Sequence, residues 1–346
     1  MDKKKKFKKQ QKIGLNILDK MKKIFITGGA GYVGSALADY LISKGYFVTV
    51  YDLFLYGKNV FESKKNIKLI QGDIRNKKLL SSSIQDHDCV IHLACISNDP
   101  SFELNPKLGK SINLDAFEPL VLAAKSAGVR RFIYASSSSV YGIKTEKNVT
   151  EDMSLEPLTD YSKFKADCET ILFKYKDDNF ETVVIRPATV CGYSKRQRLD
   201  VIVNILTNLA FHNRKITVFG GSQLRPNIHI IDMLRAYEVL INAHKDMVNG
   251  EIFNAGWENK SVDDIANTVR KIIGEDVKII KSKTDDNRSY HISSEKIKER
   301  LNFQTKFTIE NAVADLFEAF NKKVFINPLS NDLYFNIKRM NNLNLE

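Results

Sequence analysis

The sequence lacks any apolar run that is long enough to cross a membrane. No stretch of about 18 consecutive apolar residues occurs among its 346 residues, so we expect no transmembrane helix. The first residues are rich in lysine, but no apolar stretch with a cleavage site follows them, so we expect no secretory signal. These absences predict a cytoplasmic protein.

Cysteine is scarce as well, and the four cysteines form no CxxC pair. They are Cys89, Cys95, Cys168 and Cys191. Their scatter argues against a disulfide framework and is typical of reduced thiols. One segment, "HDCVIHLAC", brings two histidines close to two of them. Its centre is typical of a buried strand, in which Cys89 and His92 would face opposite ways, so we predict no metal site.

Positive charge is plentiful, but half of the net charge of the chain lies in one short segment. Residues 1–20 contain eight lysines and two aspartates, a net +6, so the rest of the chain also carries +6 of the total +12. The segment has two interpretations, an arm for nucleic acid or a membrane surface, or a solvated extension. We favour the extension and expect no nucleic-acid partner. Met21 begins "MKKIFITGG", where we expect the folded part to start.

The chain from Met21 alternates short apolar runs with segments of helical spacing. Six runs predict strands: "KIFITGG", "FVTVYD", "IKLIQGD", "CVIHLA", "RFIYASS" and "TVVIRPA". Patterns such as "GYVGSALADYLISKG" and "NLDAFEPLVLAAKSAG" predict helices between them. The alternation predicts an α/β fold, a Rossmann-type doubly wound parallel sheet with helices on both faces.

After Arg186 this rhythm changes, which predicts a smaller, mixed C-terminal lobe for substrate. We expect the nucleotide-binding domain at 21–186, with returning segments around 226–256. The substrate-binding lobe is expected at 187–225 and 257–328. Residues 329–346 form a tail without clear periodicity, and their sequence indicates no role.

A glycine-rich stretch, "ITGGAGYVGS", joins the first predicted strand to the first predicted helix. Gly28, Gly31 and Gly34 fit G-x-x-G-x-x-G, which permits a tight turn, close approach of a pyrophosphate and close helix–strand packing. The helix N-terminus then offers free N–H groups to the phosphates. The strand–loop–helix context predicts a dinucleotide site.

An acidic residue stands where the second predicted strand ends. Asp52 in "VTVYD" is placed to hold the ribose hydroxyls of the dinucleotide, and its charge would repel a 2′-phosphate. NAD is therefore favoured over NADP. Asp73 and Ile74, after the third strand in "QGDI", are expected to contact the adenine.

The segment "YSKFK" places Tyr161 and Lys165 four residues apart, on one face of a predicted helix. A free tyrosine titrates at about pH 10. A nearby ammonium and the positive nicotinamide ring both favour the phenolate, so we expect a lowered pKa. Such a tyrosine can take a proton from a sugar hydroxyl while hydride leaves for NAD. The strand end "ASSSSVYG" can supply a serine to orient the same oxygen.

Together these motifs resemble the extended short-chain dehydrogenase/reductase family, and specifically its nucleotide-sugar epimerases and dehydratases. The resemblance covers about residues 22–320 and also includes "HLA", "RPATVCG", "LRPNIHIIDM" and "NRSYHIS". It implies that Tyr161 is the catalytic base and acid, that Lys165 binds the nicotinamide ribose, and that Ser137 is the catalytic serine. It implies further cofactor contacts from Tyr32, Val33, Leu93 and Ala94.

The resemblance also implies residues for the substrate, a nucleotide-diphosphate sugar. Asn113 in "SINLDAF" resembles a helix asparagine near the active site. Arg225 and Arg288 match arginines that grip the diphosphate, for which bidentate guanidinium contacts are suited. A homodimer through the helix that carries YxxxK and its neighbour is implied as well.

One departure from the family pattern bears on the reaction. Family 4,6-dehydratases resemble "S-T-D-E-V-Y-G", in which Asp and Glu eliminate water. Here the two positions are Ser138 and Ser139, and serine cannot replace a carboxylate as a general acid or base near neutral pH. This argues against dehydration, and also against decarboxylation, for which a Glu is usual there.

The segment "ATVCGYSKRQRLDVIVN" resembles a subgroup that includes GDP-heptose C4 dehydrogenases and proteins described as epimerases. Arg196 and Arg198 in it either reach a substrate phosphate or only solvate the following helix. Cys191 is either an acid for C3/C5 epimerisation or a buried packing residue, and we favour packing.

The sequence thus predicts an NAD-dependent nucleotide-sugar oxidoreductase that acts at the C4 hydroxyl, and a 4-epimerase is favoured. The alternative is a C4 dehydrogenase, for example on GDP-heptose, that releases the 4-keto sugar. A non-catalytic NAD-binding protein on the same fold is disfavoured, because binding alone would not need Ser137, Tyr161 and Lys165 together.

Overall fold

A computed structural model describes residues 21–61, 65–146, 148–284, 289–343 and 345. Its central sheet has seven strands: β1 (Lys23–Thr27), β2 (Phe47–Asp52), β3 (Ile67–Gln71), β4 (Cys89–His92), β5 (Arg131–Ala135), β6 (Glu181–Pro187) and β10 (Glu251–Ala255). Their spatial order is β3-β2-β1-β4-β5-β6-β10, and all neighbours are parallel. The order reverses next to β1, which confirms the predicted doubly wound sheet.

Helices pack on both faces of this sheet because its strands are apolar on both sides. On β1, Ile24 and Ile26 face one buried layer and Phe25 faces the other, and all three are fully buried. Each such side chain contributes about 1.5–3 kcal/mol by leaving water. The first layer contains α1 (Tyr32–Ser43) and α8 (Ile230–Asn242), and the second contains α2 (Lys77–Ser83), α5 (Phe117–Ser126) and α6 (Asp160–Phe173).

Two smaller sheets form beyond β6. The strands β7 (Thr189–Cys191), β9 (Leu224–His229) and β11 (Glu258–Ser261) pair in the order β11-β9-β7, and β8 (Lys215–Phe219) pairs with β12 (Lys278–Ser282). Three helices cover a core there: α7 (Ile202–Asn213), α10 (Val262–Ile273) and α12 (Ile309–Asn321).

Short helices complete the described chain. They are α3 (Asp99–Glu103), α4 (Pro106–Lys110), α9 (Lys245–Val248), α11 (Glu295–Leu301) and α13 (Asn336–Leu343). Helix α13 differs from expectation, since the tail around it shows no clear periodicity in the sequence. The pattern "NLDAFEPLVLAAKSAG" also divides, because a π-helical turn at Ser111–Asp115 precedes α5. No helix within the described ranges is long and apolar enough to span a membrane.

Candidate active site

A cavity of about 610 Å³ opens where the parallel strands end. This edge is where ligands bind in doubly wound sheets. Besides Tyr161 and Lys165, ten residues are expected to contact the cofactor, and all ten line the cavity: Gly28, Gly31, Tyr32, Val33, Gly34, Asp52, Asp73, Ile74, Leu93 and Ala94. Ser137, Tyr161 and Lys165 line the same cavity. The structure therefore brings the two predicted groups together, while the role of each residue stays a prediction.

The glycine loop is packed so closely that side chains would not fit. Gly28 has a φ of +70°, and a Cβ there would lie 2.5 Å from the backbone nitrogen of Ala94. A Cβ on Gly34 would lie 2.5 Å from the carbonyl oxygen of Gly28. Gly31 is the N-cap of α1, and the helix starts directly at the cavity. The backbone N–H groups at the start of α1 therefore lie where a phosphate group is favoured.

Asp52 is fixed by backbone donors on both of its oxygens. Oδ2 accepts from Ala30 N at 2.9 Å and Oδ1 from Phe54 N at 2.7 Å. Burial raises the pKa of Asp52, although these hydrogen bonds and the nearby Arg196 oppose the shift. The carboxylate therefore braces the glycine loop and also lines the cavity beside it.

The two histidines of "HDCVIHLAC" have separate partners. His92 Nδ1 lies 2.6 Å from Thr27 Oγ1, and His87 Nε2 lies 2.8 Å from Thr49 Oγ1. Burial, with a smaller effect of Lys165, lowers the pKa of His92 to about 3, so its imidazole is neutral. The contact with Thr27 ties β4 to β1 just before the chain passes Gly28. Within the described ranges, no group of three or more His, Cys, Asp or Glu side chains could hold a metal ion.

Tyr161 and Lys165 share the inward face of α6, which begins at a capping box formed by Thr159 and Ser162. Lys165 is buried and donates to the Ala135 carbonyl at 2.7 Å, and its Nζ lies 5.9 Å from the centroid of the Tyr161 ring. Ser137 follows β5, and its Oγ lies 2.8 Å from Ser139 Oγ.

The pKa of Tyr161 shifts in the direction opposite to our expectation. Burial raises it, the charges of Cys95 and Asp99 add to the increase, and Arg198 only partly opposes them. Lys165 lies too far from the ring, and too close to Ala135, to reverse this shift in the chain alone. The sequence places the ammonium on the correct face of the helix, but it gives neither the distance nor the desolvation.

A buried polar network supports the serine-rich strand end from behind. Ser136 donates to Glu169, which forms an ion pair with Arg186 at 2.6 Å. Arg186 also donates to the Tyr141 hydroxyl at 2.8 Å, and Tyr141 donates to Asn254 at 2.7 Å. These contacts join β5, β6, β10 and α6, so they fix the backbone that presents Ser137.

Ser138 and Ser139 line the cavity, so hydroxyl groups stand where the dehydratase pattern has carboxylates. Asp99 is the carboxylate whose charge acts on Tyr161 within the described chain. No motif in the sequence had indicated Asp99 as a site residue. It accepts a hydrogen bond of 2.5 Å from Thr159, at the N-cap of α6.

Arg196 and Arg198 line different parts of the cavity. The guanidinium of Arg196 stacks 3.5 Å from the ring centroid of Tyr56, and its charge lowers the pKa of Asp52. Arg198 pairs with Asp200 at 2.6 Å, and its charge lowers the pKa of Tyr161. Arg196 therefore lies close enough to Asp52 for its charge to act on that carboxyl, while its contact with the substrate stays a prediction.

The other predicted substrate residues differ in their position relative to the cavity. Arg225 lines the cavity and donates to the Leu224 carbonyl at 2.9 Å. Asn113 is not among the lining residues, because its Oδ1 accepts from Ile96 N at 2.8 Å and its Nδ2 donates to Ile96 O at 3.0 Å. Its amide therefore fixes the loop after β4, and its contact with the substrate stays a prediction. Arg288 lies outside the described residues.

Cys191 is fully buried and does not line the cavity. Its Sγ lies 3.5 Å from the carbonyl oxygen of Ile228, and burial raises the pKa of its thiol. A role as the acid of an epimerisation is therefore excluded, and the packing interpretation fits.

One wall of the cavity is formed by the C-terminal tail and was not expected from the sequence. Asn336 and Met340 of α13 line it, and so does Leu345. Asn336 bonds Ser97 at 2.8 Å and Tyr56 at 3.0 Å, which are 239 and 280 positions away in the chain. Contacts of such sequence separation leave no local periodic pattern, so no sequence signal could have identified this wall.

The comparisons with known proteins decide the family. Residues 24–256 match the model of the NAD dependent epimerase/dehydratase family. The chain belongs to this family. The residues fit the cofactor of the family, NAD, since the glycine loop ends at the N-cap of α1 on the cavity wall and buried Arg196 offers an Nε that has no partner among the described residues.

Relatives with different reactions are similar to the chain. A UDP-N-acetyl-alpha-D-glucosaminuronate decarboxylase of Bacillus cytotoxicus is 30% identical over 75% of this chain and 83% of its own length. A UDP-glucose 4-epimerase of Lactobacillus helveticus is 27% identical over 74% and 83%. A UDP-glucose 4-epimerase of Thermotoga maritima, solved with UDP-glucose, has a TM-score of 0.80 at 24% identity, covering 88% of this chain and all of that one.

Proposed function

We propose that this chain is an NAD-dependent nucleotide-sugar 4-epimerase. The observation that carries the proposal is the cavity itself. Ser137, Tyr161 and Lys165 meet there with the glycine loop, while Ser138 and Ser139 stand at the positions of the dehydratase acids. Oxidation and reduction at one carbon need a single proton donor and acceptor, and no second acid–base pair for elimination.

The bound cofactor would take hydride from C4 of the sugar and return it to the opposite face. Tyr161 would accept the C4 hydroxyl proton and later give it back. Burial raises the pKa of its phenol, so the phenolate depends on positive charge near it. Lys165 supplies one such charge, and the positive nicotinamide supplies another. Ser137 would hold the C4 oxygen of the sugar by a hydrogen bond.

The substrate class follows from the charges of the cavity. Arg198 and Arg225 both line the cavity, and each carries a guanidinium group. Arginine suits a diphosphate because its planar group can form two parallel hydrogen bonds. We therefore propose a nucleoside-diphosphate sugar, with the diphosphate held by arginine and C4 beside Tyr161.

The experiment is incubation of the purified protein with UDP-, dTDP- and GDP-hexoses and with GDP-heptose, followed by proton NMR. A C4-inverted sugar that forms without net NADH is the expected result. A free 4-keto sugar that appears only with an added oxidant would replace the epimerase by the C4 dehydrogenase. Loss of water would reject both.

A further inference from the structure

The segment Asn331–Leu343, which we call the strap, lies across the cavity described above. Asn336 and Met340 within it line the same cavity as Gly31 and Asp52. The family model ends at residue 256, so the strap lies outside the matched region. The contacts of the strap indicate what this wall of the cavity does.

Hydrogen bonds attach the strap to the loops around the cofactor end of the cavity. Arg339 Nε donates to the Leu55 carbonyl, just after β2, at 2.7 Å. Asn336 Nδ2 donates to Ser97 Oγ, after β4, at 2.8 Å, and Asn336 N donates to Asp200 Oδ2 at 2.7 Å. The strap therefore connects the loops after β2 and β4 with the segment that contains Asp200.

Arg196 is the group that the strap holds in place. Its Nη2 donates to Asn336 Oδ1 at 2.7 Å, and its guanidinium lies flat on Tyr56. The side chain is only 4% exposed, and its Nε has no hydrogen-bond partner among the described residues. A buried cation with an unpaired N–H group on a cavity wall is costly unless an anion binds to it.

Several observations indicate which end of the dinucleotide Arg196 faces. Its charge acts on Asp52, at the end of β2, and, together with that of Arg198, on Tyr32, the first residue of α1. The start of α1 is the place where a phosphate group is favoured. A cofactor diphosphate bound at this place would therefore meet the positive charge of Arg196.

We propose that Arg196 binds the diphosphate of NAD and that the strap, through Asn336, locks this contact and retains the cofactor. The cofactor could then leave only after the strap has separated from Leu55 and Ser97. Retention suits a reaction in which the same cofactor molecule acts twice. The inference depends on NAD as the cofactor of the family and not on the 4-epimerase proposal.

The test measures release of the cofactor without any sugar. Protein loaded with NADH is mixed with excess NAD, and the loss of bound NADH fluorescence gives the dissociation rate. Asn336→Ala and Arg339→Ala should each release NADH about tenfold faster or more, since a hydrogen bond to a charged group or its fixed geometry is lost. Arg196→Gln should weaken equilibrium binding of NADH by a similar factor.

Asn342→Ala is the matched control, because Asn342 lies on the same helix, bonds Asp332 at 3.1 Å and is not among the residues that line the cavity. If Asn336→Ala released NADH at the same rate as Asn342→Ala, the proposed role of the strap in retaining the cofactor would be contradicted. Unchanged NADH affinity of Arg196→Gln would overturn the diphosphate contact. Because sugar is absent, neither failure bears on the 4-epimerase, and a failed epimerase assay leaves both measurements valid.

Limited proteolysis gives a second measurement that does not depend on a substitution. Trypsin can cut after Lys338 and Arg339 in the strap. Saturating NAD should slow these two cuts at least several-fold. Equal cutting with and without NAD would contradict the proposal, even if every variant failed to fold.

Discussion

At the scale of single residues, Tyr161 is the side chain on which the proposed chemistry depends. Its surroundings in the chain alone oppose ionisation, since burial raises its pKa and Asp99 adds to the shift. The proposal therefore requires the cofactor charge and Lys165 to act together. Tyr161→Phe keeps the buried ring but removes the oxygen that moves the proton.

We expect Tyr161→Phe to fold and to bind NADH normally, and to turn over sugar about 100-fold more slowly or worse, which is a typical contribution of a general base. NADH fluorescence titration and the NMR assay measure the two effects separately. Near-normal turnover with intact cofactor binding would show that another group moves the proton.

Gly28 gives a prediction about the cofactor cradle. A Cβ at Gly28 would collide with Ala94, whereas a Cβ at Gly128, with a nearly equal φ of +74°, would meet nothing within 4 Å. Both Ala variants carry the same backbone strain, of order 1 kcal/mol. Gly28→Ala should therefore lose NAD affinity at least tenfold relative to Gly128→Ala in calorimetry. Equal affinities would mean that the loop does not need this close approach.

The sequence was informative about these residues to different degrees. The glycines, Asp52, Tyr161 and Lys165 follow short local patterns whose context could be checked along the chain. Asn113 could not be placed, because the direction of a side chain on a π-helical turn depends on the turn itself. The end of the cavity that Arg196 faces likewise depends on folding of the loop after β7.

At the scale of elements, α6 connects the catalytic face to the buried network. Tyr161 and Lys165 face the cavity, and one turn later Glu169 pairs with Arg186 of β6. Both partners are nearly inaccessible, at 4% and 2% side-chain exposure. Breaking such a pair leaves an uncompensated charge in the interior.

Glu169→Gln should therefore lower the free energy of unfolding by about 3–5 kcal/mol. Glu295→Gln, the same change in an exposed pair with Lys298 on α11, should shift it by less than about 1 kcal/mol. Denaturant unfolding of both variants measures the difference. Similar stability of the two variants would show that the network does not need its charge.

The strands and long helices were predictable because each buries a face whose residues recur with a local period. The central strands β1, β2 and β4 fall within the apolar runs identified in the sequence. Helix α13 was not predictable, because side chains distant in the chain hold it, notably through Asn336 and Arg339. The antiparallel strand β11 has two exposed or half-buried polar residues, Asn259 and Lys260, and so carries no apolar pattern.

At the scale of the whole molecule, the expected homodimer is a prediction that concerns α5 and α6. Leu122 on α5 is 44% exposed in the single chain, and Leu158, just before α6, is 49% exposed. Apolar side chains at this exposure are consistent with a contact between copies. We expect light scattering to give the mass of a dimer at micromolar concentration.

Leu122→Glu should shift this mass towards the monomer, because a charge would be buried at the contact. Leu329→Glu, at a residue of similar exposure, 38%, on another surface, is the control that should leave the mass unchanged. A monomer for the unaltered protein would reject the dimer.

The central claim is that hydride leaves C4 and returns to the same carbon. The most direct measurement uses a nucleotide sugar that carries deuterium at C4, identified as a substrate by the NMR assay. In ordinary water, the C4-inverted product should retain the deuterium at C4, and no deuterium should appear in released NADH. Deuterium found in released NADH, moved to another carbon or replaced by hydrogen from water would contradict the account.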